Sequence, residues 1–397
     1  MEYIIVGNGV AGTTAAAAIR KNDPSGTIRL ITDEAYPFYS RIRLMEYLAG
    51  EVDLPKLQIK KDSWYAENRM ELIRNERVTA IDPALQEVTT ASGKTFKYDR
   101  LLLASGADSF LPPITGSDKP GVFTLRNIRD AQAIQQYAAG KTRALLIGGG
   151  LLGLEVGNSL RKIGLEVSVA EFFPRLLPRQ TDPSCAELLK SRLEKMGFIF
   201  YLGVKSKEIV GEQAAQGLLL EDGRRIETDL IIVSAGVRPS LELARKAGIK
   251  VDKGIPVNDR LETEISGIYA AGDAVEHRGL VYGIWPAAEQ QGEVAGTVMG
   301  GGSAIYAGTT FSNQLKVVGL DLLAAGELDP DGKMESFVEL NREAGTYRKL
   351  VLRDNVLAGI LLFGSLEGRG KLLKAVDQKI DVSGIKEQLA RFDLSGL

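Results

Sequence analysis

The hydrophobic pattern at the start of the chain predicts a strand, a glycine-rich turn, a helix and a second strand. An apolar run at residues 3–6 leads directly into the G-x-G-x-x-G sequence of residues 7–12, and a helix-compatible, alanine-rich segment continues to residue 21. A second apolar run at residues 27–32 ends before Asp33 and Glu34. Short apolar runs that alternate with a helical segment are typical of a β-α-β unit with a parallel sheet.

The glycine spacing in this unit is the one that a dinucleotide requires. Gly7 would allow the tight turn, Gly9 would let a pyrophosphate approach the backbone, and Gly12 would let the helix pack closely on the strand. The phosphates of such a ligand lie at the helix N-terminus, where free N–H groups and the helix dipole favour negative charge. An acid about 20 residues later hydrogen-bonds a ribose hydroxyl, and Glu34 fits that role.

The same pattern occurs a second time. Apolar residues 144–147 are followed by the G-G-G-x-x-G sequence of residues 148–153 and by a helical segment. The next predicted strand, residues 166–170, ends at Glu171, at the spacing that the fingerprint requires. Gly148, Gly150 and Gly153 therefore correspond to Gly7, Gly9 and Gly12 of the first unit.

The acid of the second unit bears on the choice of nicotinamide cofactor. Glu171 would hydrogen-bond a ribose 2′-hydroxyl and repel a 2′-phosphate, which favours NADH over NADPH. Arg175 follows shortly afterwards and weakens this preference, because an arginine at this place can pair with the 2′-phosphate. NADPH therefore remains the alternative.

Two complete fingerprints in one chain imply two bound dinucleotides. A single unit could belong to any dehydrogenase, methyltransferase or nucleotide-binding structural protein. The simplest pairing is a flavin in one unit and a nicotinamide in the other, since hydride can then pass between them without a catalytic side chain.

Further apolar strands end in small residues. They are residues 101–104, followed by Ser105 and Gly106, and residues 268–270, followed by Gly272 and Asp273. We expect the first of them to rejoin the opening sheet. The Asp273 carboxylate could hydrogen-bond a ribityl hydroxyl, and Gly272 would admit the pyrophosphate.

The pattern changes after residue 304. A helix is predicted at residues 285–299 and ends at a run of glycines. Short strands and turn glycines then alternate and precede a terminal amphipathic stretch from Gly368. The predicted strands are residues 315–318, 336–338, 347–352 and 356–363. This alternation indicates a C-terminal α+β domain without a glycine-rich phosphate-binding loop.

Aromatic and basic residues cluster after the first predicted β-α-β unit. They are Tyr36, Phe38, Tyr39, Arg41 and Arg43. They could line a cofactor ring and its phosphates, or the aromatic residues could be core packing and the arginines solvated. The nearby lysines Lys56, Lys60 and Lys61 are more typical of a solvated face.

Composition excludes several classes of function. A chain of 397 residues predicts about two or three domains. The net charge of −2 provides no global field for nucleic acid or an anionic membrane, and no apolar run approaches the ~20 residues of a membrane span. Since the first predicted strand begins close to Met1, we expect no signal or transit peptide and a cytoplasmic location.

The counts of cysteine and histidine argue against disulfide and metal chemistry. A single cysteine excludes an intramolecular disulfide, a cysteine-ligated iron–sulfur cluster and a Cys₄ zinc site, and one histidine leaves little for metal ligation. Asp182 and Pro183 are predicted to begin a helix with Cys185 on or beside its buried face. His277 is predicted to lie solvated in a polar loop.

Together these motifs resemble the FAD-dependent pyridine nucleotide-disulfide oxidoreductases, in the branch that lacks the redox disulfide. The resemblance covers residues 1–300 and rests on motifs whose order and spacing are highly specific. These are residues 7–12 with Glu34, Ser105-Gly106, the G-G-G-x-x-G-x-E sequence of residues 148–155, residues 234–239 and residues 269–274.

The resemblance implies an α/β fold with two Rossmann-like dinucleotide-binding domains and a C-terminal α+β domain. An FAD-binding domain of residues 1–112 and 240–302 would be interrupted by an NAD-binding domain of residues 113–239, and an interface domain of residues 303–397 would follow. Whether the protein is a monomer or a homodimer stays open.

The resemblance also implies the site residues. FAD would bind at Gly7, Gly9, Gly12, Glu34, Arg41, Ser105, Gly106, Gly272 and Asp273. NADH would bind at Gly148, Gly150, Gly153 and Glu171. Glu155 would be the family glutamate close to the nicotinamide and flavin rings, with no acid–base triad and no metal.

Within the family, residues 37–50 and the tail after Tyr306 look most like NADH:rubredoxin oxidoreductases and the flavoprotein portion of NADH-dependent nitrite reductases. The cysteines of the disulfide reductases and of the cysteine-dependent oxidases and peroxidases are missing, and Ile42 and Arg43 stand in that region. The resemblance therefore implies an electron-transfer reductase that passes electrons from NADH through FAD to a separate carrier such as rubredoxin.

An acidic carrier would dock on basic residues, for which the sequence offers Arg41, Arg43, Lys56, Lys60 and Lys61. Two alternatives stay open. One is an NADH oxidase whose flavin reacts with oxygen, and the other is a flavoprotein subunit of a larger, nitrite reductase-like assembly.

Overall fold

The structure is a computed structural model that describes residues 1–309 and 312–397, without the side-chain surroundings of residues 312–317. The helices are α1 (Val10–Asn22), α2 (Leu44–Leu48), α3 (Leu54–Leu57), α4 (Asp62–Glu67), α5 (Ile128–Ala138), α6 (Leu151–Lys162), α7 (Pro183–Lys195), α8 (Glu242–Lys246), α9 (Trp285–Met299), α10 (Arg369–Asp377) and α11 (Lys386–Leu389), with 3-10 turns at Arg41–Arg43 and Ser383–Ile385.

The strands of the first third of the chain are β1 (Glu2–Val6), β2 (Thr27–Ile31), β3 (Met70–Ile73), β4 (Val78–Asp82), β5 (Glu87–Thr90), β6 (Thr95–Lys97), β7 (Arg100–Leu103), β8 (Ala107–Ser109) and β9 (Val122–Phe123). Those of the middle third are β10 (Arg143–Ile147), β11 (Glu166–Glu171), β12 (Phe198–Leu202), β13 (Ser206–Val210), β14 (Gly217–Leu220), β15 (Arg225–Glu227), β16 (Leu230–Val233) and β17 (Val237–Pro239). The last are β18 (Ile255–Val257), β19 (Ile268–Ala270), β20 (Val275–His277), β21 (Ser312–Val317), β22 (Leu320–Gly326), β23 (Glu335–Asn341), β24 (Thr346–Arg353) and β25 (Val356–Phe363).

The chain forms two compact units. The first contains Met1–Arg43, Val52–Asp108 and Val237–Thr309, and the second contains Leu44–Glu51, Ser109–Gly236 and Thr310–Leu397. In the described part of the chain, no helix combines the length and the apolar character that crossing a membrane would require.

The first unit is built on a five-stranded parallel sheet with the order β19-β7-β1-β2-β3. In this register Val6 pairs with Ile31 on one side and with Leu103 on the other, so the loops that follow β1, β2 and β7 meet at one edge. The predicted return of residues 101–104 to the opening sheet is confirmed. Parallel strands covered on both faces are continuously apolar, and Leu101, Leu102 and Leu103 are accordingly almost fully buried.

Helices α1 and α9 pack closely in this unit because small residues line their contact. A Cβ added at Gly292 would lie 2.5 Å from the Ala11 carbonyl oxygen, and one added at Gly296 would overlap the Ala15 carbonyl oxygen. Glycine at these two positions therefore lets the backbones approach. The predicted helix at 285–299 is confirmed with the same bounds.

The second unit repeats the architecture. Its parallel sheet has the order β12-β11-β10-β16-β9, with Ile147 paired to Ala170 and to Val233. Helix α2 belongs to this unit and packs beside α5 and α6, where Gln135 Nε2 donates to the Tyr47 carbonyl at 2.7 Å. The predicted fold class, with two Rossmann-type sheets, is confirmed.

A second sheet in this unit comes from the end of the chain. It is antiparallel with the order β21-β22-β25-β24-β23, and α10 and α11 cover one of its faces through a shared apolar core. Strand β22 is not among the strands predicted from the sequence. Its run Leu322–Ala325 lacks the alternation of a half-exposed strand, because side chains on both faces of β22 are buried there.

Two predictions about titratable residues have opposite outcomes. Asp182 caps α7 by accepting the Cys185 N–H at 2.9 Å, and Cys185 is fully buried, as predicted. The prediction of a solvated His277 is wrong, since its side chain is fully buried at the end of β20. His277 Nε2 lies 2.9 Å from Asp259 Oδ1, and its ring centroid lies 4.8 Å from that of Tyr306; these partners replace solvent.

Candidate cofactor sites

The first glycine-rich loop has the shape of a phosphate cradle. Gly7 has φ of +114° and faces the Ala104 carbonyl oxygen so closely that a Cβ would overlap it, and a Cβ at Gly12 would overlap the Gly7 carbonyl oxygen. A Cβ at Gly9, in contrast, would meet no atom of the described chain within 4 Å. Gly7 and Gly12 thus allow close contacts between backbone segments that a side chain would prevent. Gly9 leaves open space at the start of α1.

The second loop reproduces this geometry in the other unit. Gly148 has φ of +115°, and a Cβ there would overlap the Ser234 carbonyl oxygen. A Cβ at Gly153 would overlap the Gly148 carbonyl oxygen, whereas one at Gly150 would meet no described atom within 4 Å. The two loops therefore present the same arrangement of backbone and open space.

Both loops end at helix N-termini suited to an anion. Gly9 and Gly150 are the N-cap residues of α1 and α6, and within the described chain no side chain caps either helix. Neither first turn contains an acid. The first N–H groups of a helix lack intrahelical partners, and the dipole there favours negative charge, so the residues present fit a pyrophosphate at each site.

Glu34 is held in place beside the first loop. Its two carboxylate oxygens accept hydrogen bonds from the Tyr39 hydroxyl and from the Arg41 guanidinium. Burial disfavours the charged form of Arg41, but its interactions with Tyr39 and Glu34 raise its pKa overall. Tyr39 is buried, so it is a structural partner of Glu34 as well as a core residue. A cavity adjoins these groups, lined by Asn8, Gly9, Thr32, Glu34, Tyr36, Pro37, Phe38, Tyr39 and Arg41.

Sequence reasoning missed the role of Tyr65 in this loop. The Tyr65 hydroxyl donates to Asn8 Oδ1 at 2.8 Å and accepts the Phe38 N–H at 3.1 Å. Its buried side chain thereby ties the residue between Gly7 and Gly9 to the aromatic segment. The spacing of Tyr65 from Asn8 in the sequence gives no indication of this contact.

The other residues assigned to FAD lie at the same edge of the first sheet. Ala270 of β19 pairs with Leu103 of β7, so the loops that follow these two strands are neighbours. Those loops contain the predicted site residues Ser105, Gly106, Gly272 and Asp273. The structure therefore places them beside the first glycine loop, which follows β1.

Gln291 is a second residue that sequence reasoning missed. Its Oε1 accepts the Gly272 N–H at 2.8 Å, and its side chain is almost fully buried. Gly272 has φ of +91°, a conformation that glycine adopts readily. Gln291 therefore fixes the turn that presents Asp273. Position on a helix with a buried face is the only signal that could have indicated it.

Glu171 closes the second loop. It ends β11 and is buried, with Oε2 accepting the Gly149 N–H at 2.5 Å and Oε1 accepting the Phe173 N–H at 2.8 Å. The carboxylate thus stabilises the glycine loop itself. The Arg175 guanidinium donates to the Pro178 carbonyl at 3.2 Å, within the loop that follows.

Glu155 lies on α6, beyond the second glycine loop. It is half-buried, and its Oε1 accepts the Val318 N–H at 2.7 Å. Burial raises the pKa of the Glu155 carboxyl, and the hydrogen bond from Val318 opposes that shift. The candidate catalytic carboxylate therefore contacts the C-terminal sheet of the same unit.

The predicted basic residues lie on two neighbouring segments of the first unit. The Ser40 N–H donates to the Leu57 carbonyl at 2.9 Å, and Arg43 Nη1 donates to the Lys56 carbonyl at 2.9 Å. Two large apolar side chains are exposed on these segments, Ile42 at 68% and Ile59 at 44%. Lys60 Nζ lies 4.7 Å from the centre of the Trp64 ring. Exposed apolar side chains within a polar surround are typical of a protein-binding surface.

Comparison with known proteins agrees with this arrangement. The family model described as pyridine nucleotide-disulphide oxidoreductase matches residues 1–292, and the one described as rubredoxin NAD+ reductase C-terminal domain matches residues 312–380.

Individual relatives cover most or all of the chain. A nitrite reductase (NAD(P)H) from Bacillus subtilis is 36% identical over 384 residues, 96% of this chain and 48% of that protein. An NADH-rubredoxin oxidoreductase from Clostridium acetobutylicum is 32% identical over 377 residues, 95% of this chain and 94% of that protein. The crystal structure of NADH:rubredoxin oxidoreductase from the same organism superposes with a TM-score of 0.85 at 30% identity, covering 100% of this chain and 99% of that chain.

The chain thus spans about half the length of the nitrite reductase relative, but nearly all of the rubredoxin oxidoreductase. The matched family model covers both glycine loops and the Gly272-Asp273 turn. The chain belongs to the pyridine nucleotide-disulphide oxidoreductase family.

Proposed function

We propose that the protein is an NADH-dependent FAD flavoprotein reductase that passes electrons to a separate one-electron carrier protein. The observation that carries this proposal is the presence of two phosphate cradles of equal geometry in one chain. When bound, a flavin supplies the chemistry of accepting two electrons as hydride and releasing them singly. The protein's own residues bind and orient the two dinucleotides.

FAD is assigned to the first unit. Gly7, Gly9 and Gly12 form its phosphate cradle, and the backbone N–H groups at the start of α1 face the negative charge. Glu34 would hydrogen-bond the ribose, held ready by Tyr39 and Arg41. Asp273, on the turn fixed by Gln291, would accept from the ribityl chain, with Ser105 and Gly106 on the neighbouring loop.

NADH is assigned to the second unit. Gly148, Gly150 and Gly153 form the cradle, and Glu171 would read the ribose 2′-hydroxyl, so that NADH is preferred to NADPH. Glu155, farther along α6, would contact the nicotinamide end. This division keeps the three-domain organisation expected above, with FAD at residues 1–112 and 240–302, NAD at 113–239 and a C-terminal domain at 303–397.

The carrier is proposed to be a small acidic protein such as rubredoxin. This choice is supported by the name of the Clostridium relative, an NADH-rubredoxin oxidoreductase. It would dock on the surface formed by residues 38–43 and 56–61. The apolar side chains Ile42 and Ile59 would form the centre of that contact. The basic residues Arg41, Arg43, Lys56, Lys60 and Lys61 would surround it and steer an acidic partner toward it.

The length comparison favours a second candidate. Since the chain spans 48% of the nitrite reductase relative, the same reductase chemistry could serve as the electron-input part of a larger assembly. Co-purification with a protein that carries iron–sulfur centres would favour this candidate over a free carrier.

The first experiment is NADH consumption by the purified, FAD-loaded protein, in air and then anaerobically with rubredoxin. We expect slow turnover in air and rapid rubredoxin reduction. Fast turnover in air without a carrier would instead identify an NADH oxidase. Rapid flavin bleaching by NADH with no turnover of either acceptor would indicate a missing partner.

A further inference from the structure

Two structural features meet at Glu155. The first is helix α6, whose N-terminus carries the second glycine loop and whose later turn carries Glu155. The second is the turn between β21 and β22 of the C-terminal sheet, where the Val318 N–H donates to Glu155 Oε1 at 2.7 Å. A residue far away in sequence thus holds the carboxylate that we assign to the nicotinamide end.

The conformation of this turn is unusual for its sequence. Val317 pairs with Leu320, so Val318 and Gly319 form a two-residue hairpin loop. Their φ angles are +54° and +80°, the pattern of a type I′ turn, which favours Asn-Gly. A β-branched residue with positive φ is a genuine outlier.

Another hairpin in the same sheet shows the usual solution. Arg353 pairs with Val356, and the two loop residues Asp354 and Asn355 have φ angles of +50° and +65°. Asp and Asn tolerate this conformation because their short polar side chains can hydrogen-bond locally. The β24–β25 turn thus has residues suited to its conformation, whereas the β21–β22 turn has a valine at its first position.

Burial and one hydrogen bond to another element hold Val318 in this conformation. The Val318 side chain is 4% exposed, and its N–H is bound by Glu155. Strained residues persist where the surroundings over-determine their conformation, and they concentrate at ligand sites. Because Glu155 is half-buried, a fixed hydrogen bond to one of its oxygens limits the orientations of its carboxylate.

We propose that the Val318–Gly319 turn is a positioning element of the nicotinamide site, which holds Glu155 through the Val318 amide. This inference rests on the nicotinamide role proposed for Glu155. It makes the C-terminal sheet a part of the NADH site, because displacement of the turn would let the Glu155 side chain rotate. Val318 is a positioning residue here, and Glu155 is the group that would contact the cofactor.

The sharpest test removes a single N–H. Replacing the Val318 amide by an ester, through incorporation of the α-hydroxy analogue of valine, deletes the donor and keeps the side chain. The FAD-loaded protein is then titrated with tetrahydro-NAD, an unreactive NADH analogue, and with ADP-ribose, which lacks the nicotinamide. We expect the Kd for tetrahydro-NAD to rise about tenfold, as for the loss of one charge-assisted hydrogen bond, and the Kd for ADP-ribose to stay unchanged.

Matched variants control for general effects of the ester and of the turn. The same ester at Asn355 alters the other hairpin and should leave both affinities unchanged. Val318→Gly keeps the N–H donor, so its Kd for tetrahydro-NAD should rise less than that of the Val318 ester. Equal weakening by the Asn355 ester would contradict the proposal.

A spectroscopic readout follows the hydrogen bond itself. In protein labelled with ¹⁵N-valine, the Val318 amide resonance is assigned by its loss in Val318→Gly. Glu155→Gln keeps an acceptor oxygen and should leave this amide protected from hydrogen exchange, whereas Glu155→Ala should make it exchange faster. Equal protection in Glu155→Ala would overturn the proposed contact.

The two proposals fail in different ways. If Glu155→Ala weakens tetrahydro-NAD binding but the Val318 ester does not, the turn is not a positioning element and the role of Glu155 stands. If Glu155→Ala changes neither affinity, the proposed role of Glu155 is wrong, and the inference about the turn is wrong with it.

Discussion

The backbone N–H of Gly149 donates to Glu171 Oε2 at 2.5 Å, within the second glycine-rich loop. Glu171 therefore stabilises the loop that is proposed to bind the phosphates. It is also the acid proposed to hydrogen-bond the ribose. A substitution at this position changes both functions, so its effects on cofactor preference and on overall efficiency have to be separated.

Glu171→Arg should raise the ratio of kcat/KM for NADPH to that for NADH, because a cation replaces an anion where a 2′-phosphate would lie. Overall efficiency with NADH should fall about 10- to 100-fold, since the charge-assisted bond to Gly149 is lost as well. Steady-state kinetics with both cofactors measure this. Glu171→Gln, which keeps an acceptor oxygen, should retain more NADH activity. An unchanged cofactor ratio in Glu171→Arg would refute the ribose assignment.

Two glycines of the first loop should respond differently to alanine. Gly7→Ala should destabilise the protein by about 1–3 kcal/mol or more, because φ is +114° and the new Cβ would overlap the Ala104 carbonyl oxygen. Gly9→Ala should change the free energy of unfolding by no more than about 0.5 kcal/mol, but should weaken FAD binding, because its Cβ would occupy the open space of the cradle. Urea unfolding of the apoprotein and FAD titration separate the two effects. Similar loss of stability in both variants would contradict this account.

The carrier-docking surface predicts a change in salt dependence. Reversing Lys56, Lys60 and Lys61 to Glu should lower the rate of rubredoxin reduction and flatten its dependence on ionic strength, because steering of an acidic partner is lost. Anaerobic reduction of the flavin by NADH, followed by stopped flow, should not change.

A matched triple variant uses exposed lysines elsewhere in the first unit, namely Lys246, Lys250 and Lys253. Its rubredoxin kinetics should resemble those of the unmodified protein. If the two triple variants behave alike, the docking surface has been placed wrongly.

Gln291→Leu tests the turn that presents Asp273. The substitution leaves the Gly272 N–H without its acceptor in a buried position, which should destabilise the protein by about 1–3 kcal/mol and weaken FAD binding. Gln290→Leu, on an exposed position of the same helix, is the control and should have a smaller effect on both. Unfolding curves and FAD affinity are the measurements, and equal effects of the two variants would argue against the assigned role.

Acid stability should depend on Asp259. Hydrogen bonds from Arg278 and from His277 lower the pKa of Asp259 to about 2, whereas an unfolded aspartate titrates near 3.9. Stabilisation by the carboxylate is therefore fully present above about pH 5 and is lost as the pH falls from about 4 to about 2. The difference in free energy of unfolding between the unmodified protein and Asp259→Asn should shrink over this range. A pH-independent difference would show that the pKa is not lowered.

Much of the fold was predictable because its signals are local. Each glycine loop depends on residues within a few positions of one another, and the apolar strands that flank it have a recognisable length and composition. The acids Glu34 and Glu171 were predicted from their distance to those loops, and each lies beside the loop in question. Cys185 was predicted to be buried from the period of its helix. The assignment of particular residues to FAD and NADH stays a prediction until binding is measured.

The sequence by itself determined the two β-α-β units, the glycines of their loops and the Asp182 cap of α7, since each follows from the backbone preferences of neighbouring residues. Only the tertiary structure decided which distant side chains hold these elements in place. Tyr65 on Asn8, Gln291 on Gly272 and Val318 on Glu155 join segments remote in the chain, and His277 is buried for the same reason. Such contacts arise from the packing of whole elements, which leaves no periodic or spacing signal in the sequence.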